Sequence, residues 1–423
     1  MITITSEYLE ANWRVLTDNS ILPTRLSEWD DGDAYTLDGI GPSPSSKVVF
    51  AAVVLGNADS RDFKIVIRLK HEPENRHGYL APDGSYYAVS AIRVIDGADK
   101  PISVCIESIK IGLAARRRGL LESDLLRDDT VLIVGLGTGG ITVALELAKA
   151  GVGKFILIDP DRLKIGNVTR HAAGVSFVGR KKVSASRDLI LEKNPFAAVE
   201  VYAFEGNEKH RDELQALIRR SDVVVCATDG RASKLFVNKL CVAEQKTCIF
   251  GGAFRRAYGG QVLRVRPGES ACYHCFVLTM PEKESDHEVS SASNAAEIEY
   301  SDRPVAVEPG LSMDVAPIAL MVTKLAVQEL IIGKESTLHI LDKDFTAGWY
   351  FWINRPEAKT DYAMLPPLSD SSDEITIMRW YGVELGKEEG CPTCGDFTKT
   401  LRVLYNVEAG VGSISSLPKN LET

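Results

Sequence analysis

The segment that begins at Asp129 constrains the fold of this 423-residue chain more than any other part. A short apolar run, VLIVGLG, precedes a glycine-rich loop, and ITVALELAKAG then predicts a helix that ends at Gly151. A second apolar run (KFILID), a second helix (SASRDLILEKN) and a third apolar run (SDVVVCATD) follow. Uniformly apolar runs that alternate with helices are typical of buried parallel strands. The pattern therefore predicts an α/β fold with a doubly wound, mostly parallel sheet.

Gly135, Gly137 and Gly140 form a GxGxxG motif between the first strand and the first helix, with Gly139 inside it. Glycine lets the backbone turn tightly and approach a phosphate, and the N–H groups at the helix start face the anion. This Rossmann-like motif favours a nucleotide site, but a tight turn without a ligand stays open. Asp159 ends the second strand, where a carboxylate can bind the ribose of either NAD or ATP.

The polar residues after the later strands favour ATP over a dinucleotide. DPDRLKIGNVTRH supplies Asp161, Asn167 and Arg170, while Lys182 precedes the second helix and Asp229 ends SDVVVCATD. A triphosphate needs several cations to hold the charge that moves onto pyrophosphate, and a carboxylate among them suits Mg²⁺. Each residue alone could form a turn or be a solvated surface charge. Their order on successive strand ends favours one shared site.

Taken together, GLGTGG, LIDPDRLKIGNVTRH, VGRKK and VVCATD resemble the adenylation domain of the ThiF/MoeB family, which includes the activating enzymes of ubiquitin-like proteins. The resemblance covers residues 111–335 and implies adenylation of the C-terminal glycine carboxylate of a ubiquitin-like protein, with ATP and Mg²⁺. The residues that it assigns to ATP are Gly135, Gly137, Gly139, Gly140, Asp159, Asp161, Asn167, Arg170, Lys182 and Asp229.

Among these residues, the resemblance implies catalytic roles for three. Arg170 and Lys182 would contact the triphosphate, and Asp229 would hold Mg²⁺. The chain departs from the family at His171, where glutamine is usual, and at Gly230, where asparagine is usual. These departures concern fine contacts in the site and not the reaction.

The family also places an arginine before the first strand, from where it reaches the ATP of the partner subunit. Arg117 stands in that place, with Arg116 and Arg118 as alternatives, so the resemblance implies a homodimer. A solvated basic helix face is the other interpretation of these arginines, because 111–128 shows helical periodicity.

Four of the eight cysteines form two CxxC pairs, Cys272 with Cys275 and Cys391 with Cys394. Four thiolates at this spacing are typical of tetrahedral Zn²⁺, and a redox pair is the alternative. The family has a structural zinc built from two such distant pairs. The resemblance therefore implies a closed zinc site that ties the C-terminal part to the adenylation domain.

Ubiquitin-type members also use a cysteine that attacks the acyl adenylate and forms a thioester. The resemblance points to residues 281–310 for this thiol, but that segment contains no cysteine and has Ser290, Ser291 and Ser293 beside alanines. Either the reaction stops at the adenylate, or Ala or Ser replaces the nucleophile, which the polar loop favours. The remaining cysteines are expected in the core or, for Cys248, partly exposed: Cys105, Cys226, Cys241 and Cys248.

The chain divides into four predicted parts. Residues 1–110 predict a β-rich N-terminal domain, because runs such as FKIVIRLK alternate between apolar and polar residues. Residues 111–280 form the ATP-binding core, 281–310 a crossover loop, and 311–423 a C-terminal part with the zinc site. Within the last part, TLHILDKD and GWYFWIN predict strands and LSMDVAPIALMVTKLAVQELIIG one or two helices.

Composition restricts the partners and the location. The net charge of −9 excludes a globally basic nucleic-acid-binding protein. No apolar run reaches the length of about 18 residues that a membrane span needs, and no secretion signal is evident, so a cytoplasmic location is expected. The partners expected from the resemblance are a ubiquitin-like protein and a ubiquitin-conjugating-type enzyme.

Other functions stay open at this stage. The extra N-terminal domain resembles the architecture of bacterial ubiquitin-like conjugation operons, some of which serve antiviral defence. A sulfur-carrier adenylyltransferase of thiamine or molybdopterin synthesis uses the same chemistry. A Rossmann oxidoreductase is disfavoured by the set of cations, and a catalytically dead scaffold subunit by the presence of Arg170, Lys182 and Asp229.

Overall fold

The fold consists of two compact units, residues Met1–Arg118 and Gly119–Thr423. The computed structural model describes residues 1–29, 34–37, 47–58, 62–74, 78–121, 124–280, 297–299, 304–306, 310–358, 360–368 and 375–396. Within these ranges, no helix is both long enough and apolar enough to cross a membrane.

The N-terminal unit is a mixed sheet with one long helix packed against it. Its elements are β1 (Ile2–Thr5), α1 (Ser6–Asn19), β2 (Ile21–Trp29), β3 (Ala34–Leu37), β4 (Lys47–Leu55), β5 (Ile65–His71), β6 (Tyr79–Leu80), β7 (Tyr86–Ile95), β8 (Ala98–Ile102), β9 (Val104–Glu107) and α2 (Ile109–Ala114). The strand order is β6-β7-β5-β4-β2-β3-β1-β9, and β8 pairs with β7. The β-rich character expected from sequence is therefore present in this unit.

Helix α1 was not anticipated from sequence, although its local signals are clear. The Thr5 hydroxyl accepts a hydrogen bond from the Tyr8 N–H and caps the helix start. Ser20, at φ 58°, ends the helix in the left-handed conformation. Leu9, Trp13 and Leu16 are buried at helical spacing and place one face of α1 in the core of the unit.

The C-terminal unit alternates strands and helices through most of its length. Its elements are β10 (Thr130–Val134), α3 (Thr138–Ala150), β11 (Lys154–Ile158), α4 (Lys182–Lys193), β12 (Ala198–Tyr202), α5 (Arg211–Arg220), β13 (Val223–Cys226), α6 (Arg231–Ala243), β14 (Cys248–Ala253), β15 (Gly259–Val265), α7 (Tyr273–Thr279), β16 (Glu297–Glu299), β17 (Pro304–Ala306), α8 (Ser312–Leu330), β18 (Trp349–Ile353) and β19 (Trp380–Val383).

The main sheet of this unit has the order β12-β11-β10-β13-β14-β15-β18-β19. The five strands from β12 to β14 are parallel, as the sequence predicts. The last three strands extend the sheet in antiparallel fashion. Chain order reverses between β10 and β13, and in open α/β sheets ligands bind outside the carboxyl ends of the strands at such a point.

Apolar side chains on both faces explain why these strands lie in the centre of the unit. Along β10, Val131 and Ile133 join the core under α3, α4 and α8, whereas Leu132 and Val134 join the core under α5, α6 and α7. A strand buried on both sides has no polar face, which is the origin of the continuous apolar runs in the sequence.

Two local expectations are wrong. The helix expected over 111–128 ends with α2 at Ala114, and residues 115–120 and 124–128 form turns. The segment TLHILDKD forms a 3₁₀ helix, Thr337–Lys343, and not a strand. A local cap and a contact with α8 favour the helix. The Ser336 hydroxyl accepts a hydrogen bond from the Leu338 N–H, and the Gln328 side chain of α8 donates to the Leu338 carbonyl.

Candidate functional site

A cavity of about 430 Å³ lies at the carboxyl ends of the parallel strands. All of the described residues that line it belong to the C-terminal unit. Nine of the ten residues that the sequence assigns to ATP line this cavity, namely Gly135, Gly137, Gly139, Asp159, Asp161, Asn167, Arg170, Lys182 and Asp229. The tenth, Gly140, is not among the described residues that line the cavity.

The glycines of the loop have different structural tasks. Gly135 has φ +93°, and a Cβ there would lie 2.8 Å from the Ala227 carbonyl oxygen. A Cβ on Gly140 would lie 1.9 Å from the Gly135 carbonyl oxygen, so this glycine lets α3 pack against the loop. Gly137 meets nothing within 4 Å and precedes α3 without any side-chain cap. The first N–H groups of α3 are therefore left for a ligand in the cavity.

The peptide of Leu136, inside the glycine loop, is held from both sides. Its N–H donates to Asp159 Oδ2 at 2.7 Å. Its carbonyl oxygen lies 3.1 Å from His171 Nε2. Because the Ala173 N–H donates to His171 Nδ1 at 3.0 Å, Nε2 carries the proton and donates to Leu136. Two side chains that line the cavity thus fix the loop that faces it.

Burial shifts the pKa of both residues away from the ordinary value. Burial raises the pKa of Asp159, while the Lys182 ammonium and the N–H groups of Leu136 and Asp161 oppose that rise. Burial, together with the nearby Lys182 ammonium, lowers the pKa of His171 to about 4, although the hydrogen bond to Leu136 opposes this shift. His171 is therefore a neutral imidazole near pH 7 and acts as a hydrogen-bond donor of fixed orientation.

Lys182 is the first residue of α4, and its side chain is only 8% exposed. Its Nζ lies 2.8 Å from Asp161 Oδ2 and 3.9 Å from Asp159 Oδ1. The Asp161 N–H donates to Asp159 Oδ1, which joins the three residues into one network. Removing one partner from such a buried pair is strongly destabilising, so the network holds the ammonium at a defined place in the cavity wall.

The segment between β11 and α4 carries two further predicted residues. Asn167 is buried, and its Oδ1 accepts a hydrogen bond from the Lys164 N–H at 2.9 Å. Arg170 is half-buried, and its carbonyl oxygen accepts from the Ser312 hydroxyl at 3.4 Å. A short 3₁₀ turn, Ile165–Asn167, positions both side chains at the cavity.

Asp229 lies between β13 and α6, and its side chain is exposed in the cavity wall. Mg²⁺ takes oxygen ligands and is usually held by one or two carboxylates together with substrate phosphates. An exposed carboxylate beside the glycine loop fits that requirement. Asp159 and Asp161 also line the cavity, but both already accept hydrogen bonds from the protein.

One wall of the cavity, formed by the end of β14 and the turn that follows it, is not predicted by the sequence. Gly251, Gly252 and Arg256 line the cavity there, and Val315 and Ile318 of α8 line it beside them. The available signal was topological, because β14 is the fifth parallel strand and its carboxyl end meets the same edge as the glycine loop.

The four paired cysteines meet in one cluster, with all four Sγ atoms within 4.8 Å of one another. Cys272 Sγ lies 3.9 Å from Cys275 and 3.6 Å from Cys391, and Cys275 lies 3.3 Å from Cys394. Zn–S bonds of about 2.3 Å in a tetrahedron give S···S distances of roughly 3.8 Å, so the cluster fits Zn²⁺. The Glu388 N–H also donates to Cys275 Sγ, as outer-shell groups do in thiolate sites.

The other four cysteines supply no thiol to the cavity. Cys226 and Cys241 are buried, as predicted, whereas the expectation of partial exposure for Cys248 is wrong because it is fully buried. Cys105 is half-buried in β9 of the N-terminal unit. All eight cysteines belong to the part of the chain that the structure describes, and none lines the cavity.

Two sequence predictions are not decided by this geometry. Ser290, Ser291 and Ser293 of the crossover segment lie outside the described residues. Arg117 lies in the N-terminal unit, after α2, and is half-buried, while Arg116 and Arg118 are exposed. Its action on a partner's ATP stays a prediction.

Comparison with known proteins places these observations in context. The sequence profile of the ThiF family matches residues 113–339. The chain is 30% identical over 174 residues to ubiquitin-like modifier-activating enzyme 5 of Caenorhabditis elegans, an alignment that covers 38% of this chain and 41% of that protein. It is 32% identical over 183 residues to the adenylyltransferase and sulfurtransferase UBA4 of Candida albicans, covering 43% of this chain and 40% of that protein.

The chain thus spans about two fifths of the length of these curated relatives. Among solved structures, it is similar to E. coli MccB in complex with ATP, with a TM-score of 0.46 and 21% identity. That match covers 64% of this chain and 68% of the other.

The different tasks of the loop glycines predict different costs of substitution. Gly140→Ala is expected to destabilise the protein by about 3 kcal/mol, because the new Cβ overlaps the Gly135 carbonyl. Gly139→Ala is the matched control and is expected to stay within about 1 kcal/mol of wild type, because its nearest neighbour would be a Val315 methyl at 3.9 Å. Urea unfolding measures both, and equal losses in the two variants would contradict the assignment.

His171 predicts a specific loss of stability in acid. Its folded-state pKa of about 4 lies below the ordinary 6.5, so the unfolded state binds the proton first as the pH falls. Above pH 6.5 this titration leaves the free energy of unfolding unchanged. Between pH 6.5 and 4 it lowers the free energy of unfolding by about 3 kcal/mol in total. Unfolding free energies of wild type and His171→Gln across this range should converge in acid, since glutamine can donate the same hydrogen bond without titrating. Parallel curves would show that His171 is not the titrating group.

The cysteine cluster predicts one bound Zn²⁺ per chain that supports the C-terminal unit. Cys391→Ser is expected to reduce the zinc content measured by atomic emission and to lower the melting temperature by several degrees, because one thiolate ligand is lost. Cys105→Ser should change neither quantity. Full zinc content in Cys391→Ser would contradict the assignment.

Proposed function

Because the chain belongs to the ThiF family, we propose that it is an ATP-dependent adenylyltransferase acting on the C-terminal carboxylate of a ubiquitin-like or sulfur-carrier protein. One observation carries this proposal. The cavity at the carboxyl ends of the parallel strands brings together a glycine loop, the Asp159 carboxylate and the cations Arg170 and Lys182.

In the proposed reaction, an oxygen of the acceptor carboxylate attacks the α-phosphorus of ATP. The bond between that phosphorus and the oxygen bridging to the β-phosphate breaks, and pyrophosphate leaves with the electron pair. The products are an acyl adenylate and pyrophosphate. No proton is transferred, so the protein's contribution is positioning and charge stabilisation.

The residues at the site suit these tasks. The uncapped N–H groups of α3 face phosphate oxygens, while Asp159 lies where a ribose hydroxyl can donate to it. Arg170 and Lys182 stabilise the charge that accumulates on the leaving pyrophosphate. Asp229 would hold Mg²⁺, which when bound neutralises phosphate charge. His171 and Asp159 keep the glycine loop in place through Leu136.

We propose further that the acyl adenylate reacts with a nucleophile of a second protein. The placement of the eight cysteines supports this view, since four form the zinc-type cluster and none lines the cavity. A thioester on this chain, followed by transfer to a conjugating-type enzyme, has no support from that placement. The receiving protein is then a sulfur donor or an enzyme with its own cysteine.

Other features of the family are also proposed for this chain. Arg117 would act on the ATP of the second subunit in a homodimer. The N-terminal unit, Met1–Arg118, would dock the acceptor protein or its recipient.

The proposal predicts acceptor-dependent ATP–pyrophosphate exchange. Candidate ubiquitin-like and sulfur-carrier proteins, encoded by genes next to the gene for this chain, are added one at a time with ATP, Mg²⁺ and radiolabelled pyrophosphate. Asp229→Ala is expected to lower the exchange rate at least about a hundredfold, because it removes the proposed Mg²⁺ ligand. Asp212→Ala, an exposed carboxylate of α5 that does not line the cavity, is the matched control and should leave the rate unchanged.

The absence of exchange with every candidate, or full exchange by Asp229→Ala, would refute the proposed reaction. Non-reducing gels of the same mixtures address the thioester. A reductant-sensitive adduct between acceptor and this chain would show that one of the eight cysteines does act as a nucleophile.

A further inference from the structure

The turn that follows β14 has an unusual backbone. Arg256 has φ 56° and ψ 13°, and Ala257 has φ 50°. Two successive residues with a Cβ in the left-handed region are strained, because the side chain crowds the following carbonyl. Such conformations persist only where the surroundings impose them, and they concentrate at binding and catalytic sites.

Arg355 binds the backbone carbonyls of both residues in this turn. Its Nη2 donates to the Arg256 carbonyl oxygen at 2.6 Å, and its Nη1 donates to the Ala257 carbonyl oxygen at 3.4 Å. The same Nη1 lies 3.3 Å from Asp314 Oδ2 in the first turn of α8. One guanidinium therefore joins both carbonyls of the strained turn to the helix that lines the cavity.

Arg256 is one of the residues that line the cavity. Its Nε lies 2.9 Å from Glu357 Oε1, and Glu357 also faces Arg355, with 3.7 Å between Oε2 and Nε. A guanidinium has five N–H donors in a planar fork, so the contact with Glu357 orients Arg256 without using all of its donors.

The position of Arg256 in the sheet separates it from the glycine loop and from Asp159. The glycine loop and Asp159 follow β10 and β11, whereas Arg256 follows β14, on the other side of the point where the strand order reverses. Val315 and Ile318 of α8 line the cavity on this second side. In the proposed reaction, a carboxylate must approach a polyanionic phosphate, and a cation on the carboxylate's side reduces their repulsion.

From these contacts we propose that Arg256 binds the C-terminal carboxylate of the acceptor, and that Arg355 is a positioning residue that holds the Arg256–Ala257 turn in its left-handed conformation. The inference rests on the proposed function, because it concerns the acceptor of that reaction. It assigns a specificity for a free C-terminal carboxylate to the turn that follows β14.

Peptide binding tests this inference without requiring adenylation. The probes are two fluorescein-labelled decapeptides of the same sequence ending in glycine, one with a free carboxylate and one with a C-terminal amide. Their affinities for the full chain are measured by fluorescence polarisation with Mg²⁺ and a non-hydrolysable ATP analogue. The wild-type chain is expected to prefer the carboxylate at least about tenfold, as a charge-assisted contact would give.

Arg256→Ala should reduce the ratio of the affinities for the carboxylate and amide peptides to near one. The affinity for a fluorescent ATP analogue should stay within about twofold of wild type. Arg355→Ala should have the same effect, and adding Ala257→Gly should restore part of the preference, because glycine adopts positive φ without the clamp. Arg219→Ala, which removes an ion-paired surface arginine of α5, is the control and should bind like wild type. Melting temperatures identify any variant that fails to fold.

Three results would each overturn the inference. The wild-type chain could show no preference for the carboxylate, Arg256→Ala could keep the full preference, or Arg256→Ala could lose nucleotide affinity to the same extent. If adding Ala257→Gly to Arg355→Ala restores none of the carboxylate preference, Arg355 has only a structural role and is not a positioning residue. Carboxylate-dependent binding without any ATP–pyrophosphate exchange would count against the proposed reaction alone.

Discussion

The site depends on one peptide group, that of Leu136. Asp159 accepts a hydrogen bond from its N–H, and His171 donates one to its carbonyl oxygen. This places the glycine loop between two side chains that themselves line the cavity. Asp159 is tied in turn to Lys182 and Asp161, so the loop and the buried cation form one connected unit. Any ligand phosphate at the start of α3 would therefore meet groups whose positions are set before it arrives, which is the main physical requirement for electrostatic stabilisation.

The parallel sheet explains why residues far apart in the sequence meet at this place. The carboxyl ends of β10, β11, β13 and β14 lie on one edge, and each is followed by a loop that contributes to the cavity. The halves on either side of the strand-order reversal differ in character, with the glycine loop and its ion pairs on one side and the Arg256 turn and α8 on the other. The cysteine cluster is a separate constraint, because it joins the start of α7 to the chain beyond β19.

Sequence patterns were reliable where a single local requirement dominates. The strands of the parallel sheet followed from their apolar runs, and α3 ended at Gly151 in the left-handed conformation, as its glycine predicts. They failed where tertiary contacts decide. Thr337–Lys343 has an alternating pattern but is helical, because Gln328 and Ser336 bind its backbone. Cys248 is expected to be partly exposed at the start of its strand, yet the sheet buries it completely.

By itself, the sequence determined the doubly wound fold, nine of the residues that line the cavity and the four cysteines of the cluster. These follow from spacing, because residue order within a βαβ unit sets which side chains reach the end of a strand. Only the tertiary structure decided that His171 is a neutral donor to Leu136, that Gly140 lets α3 pack against the loop, and that the Arg256 turn joins the site. Each of these depends on a contact between segments distant in sequence, and burial and orientation at such contacts leave no periodic signal in the chain.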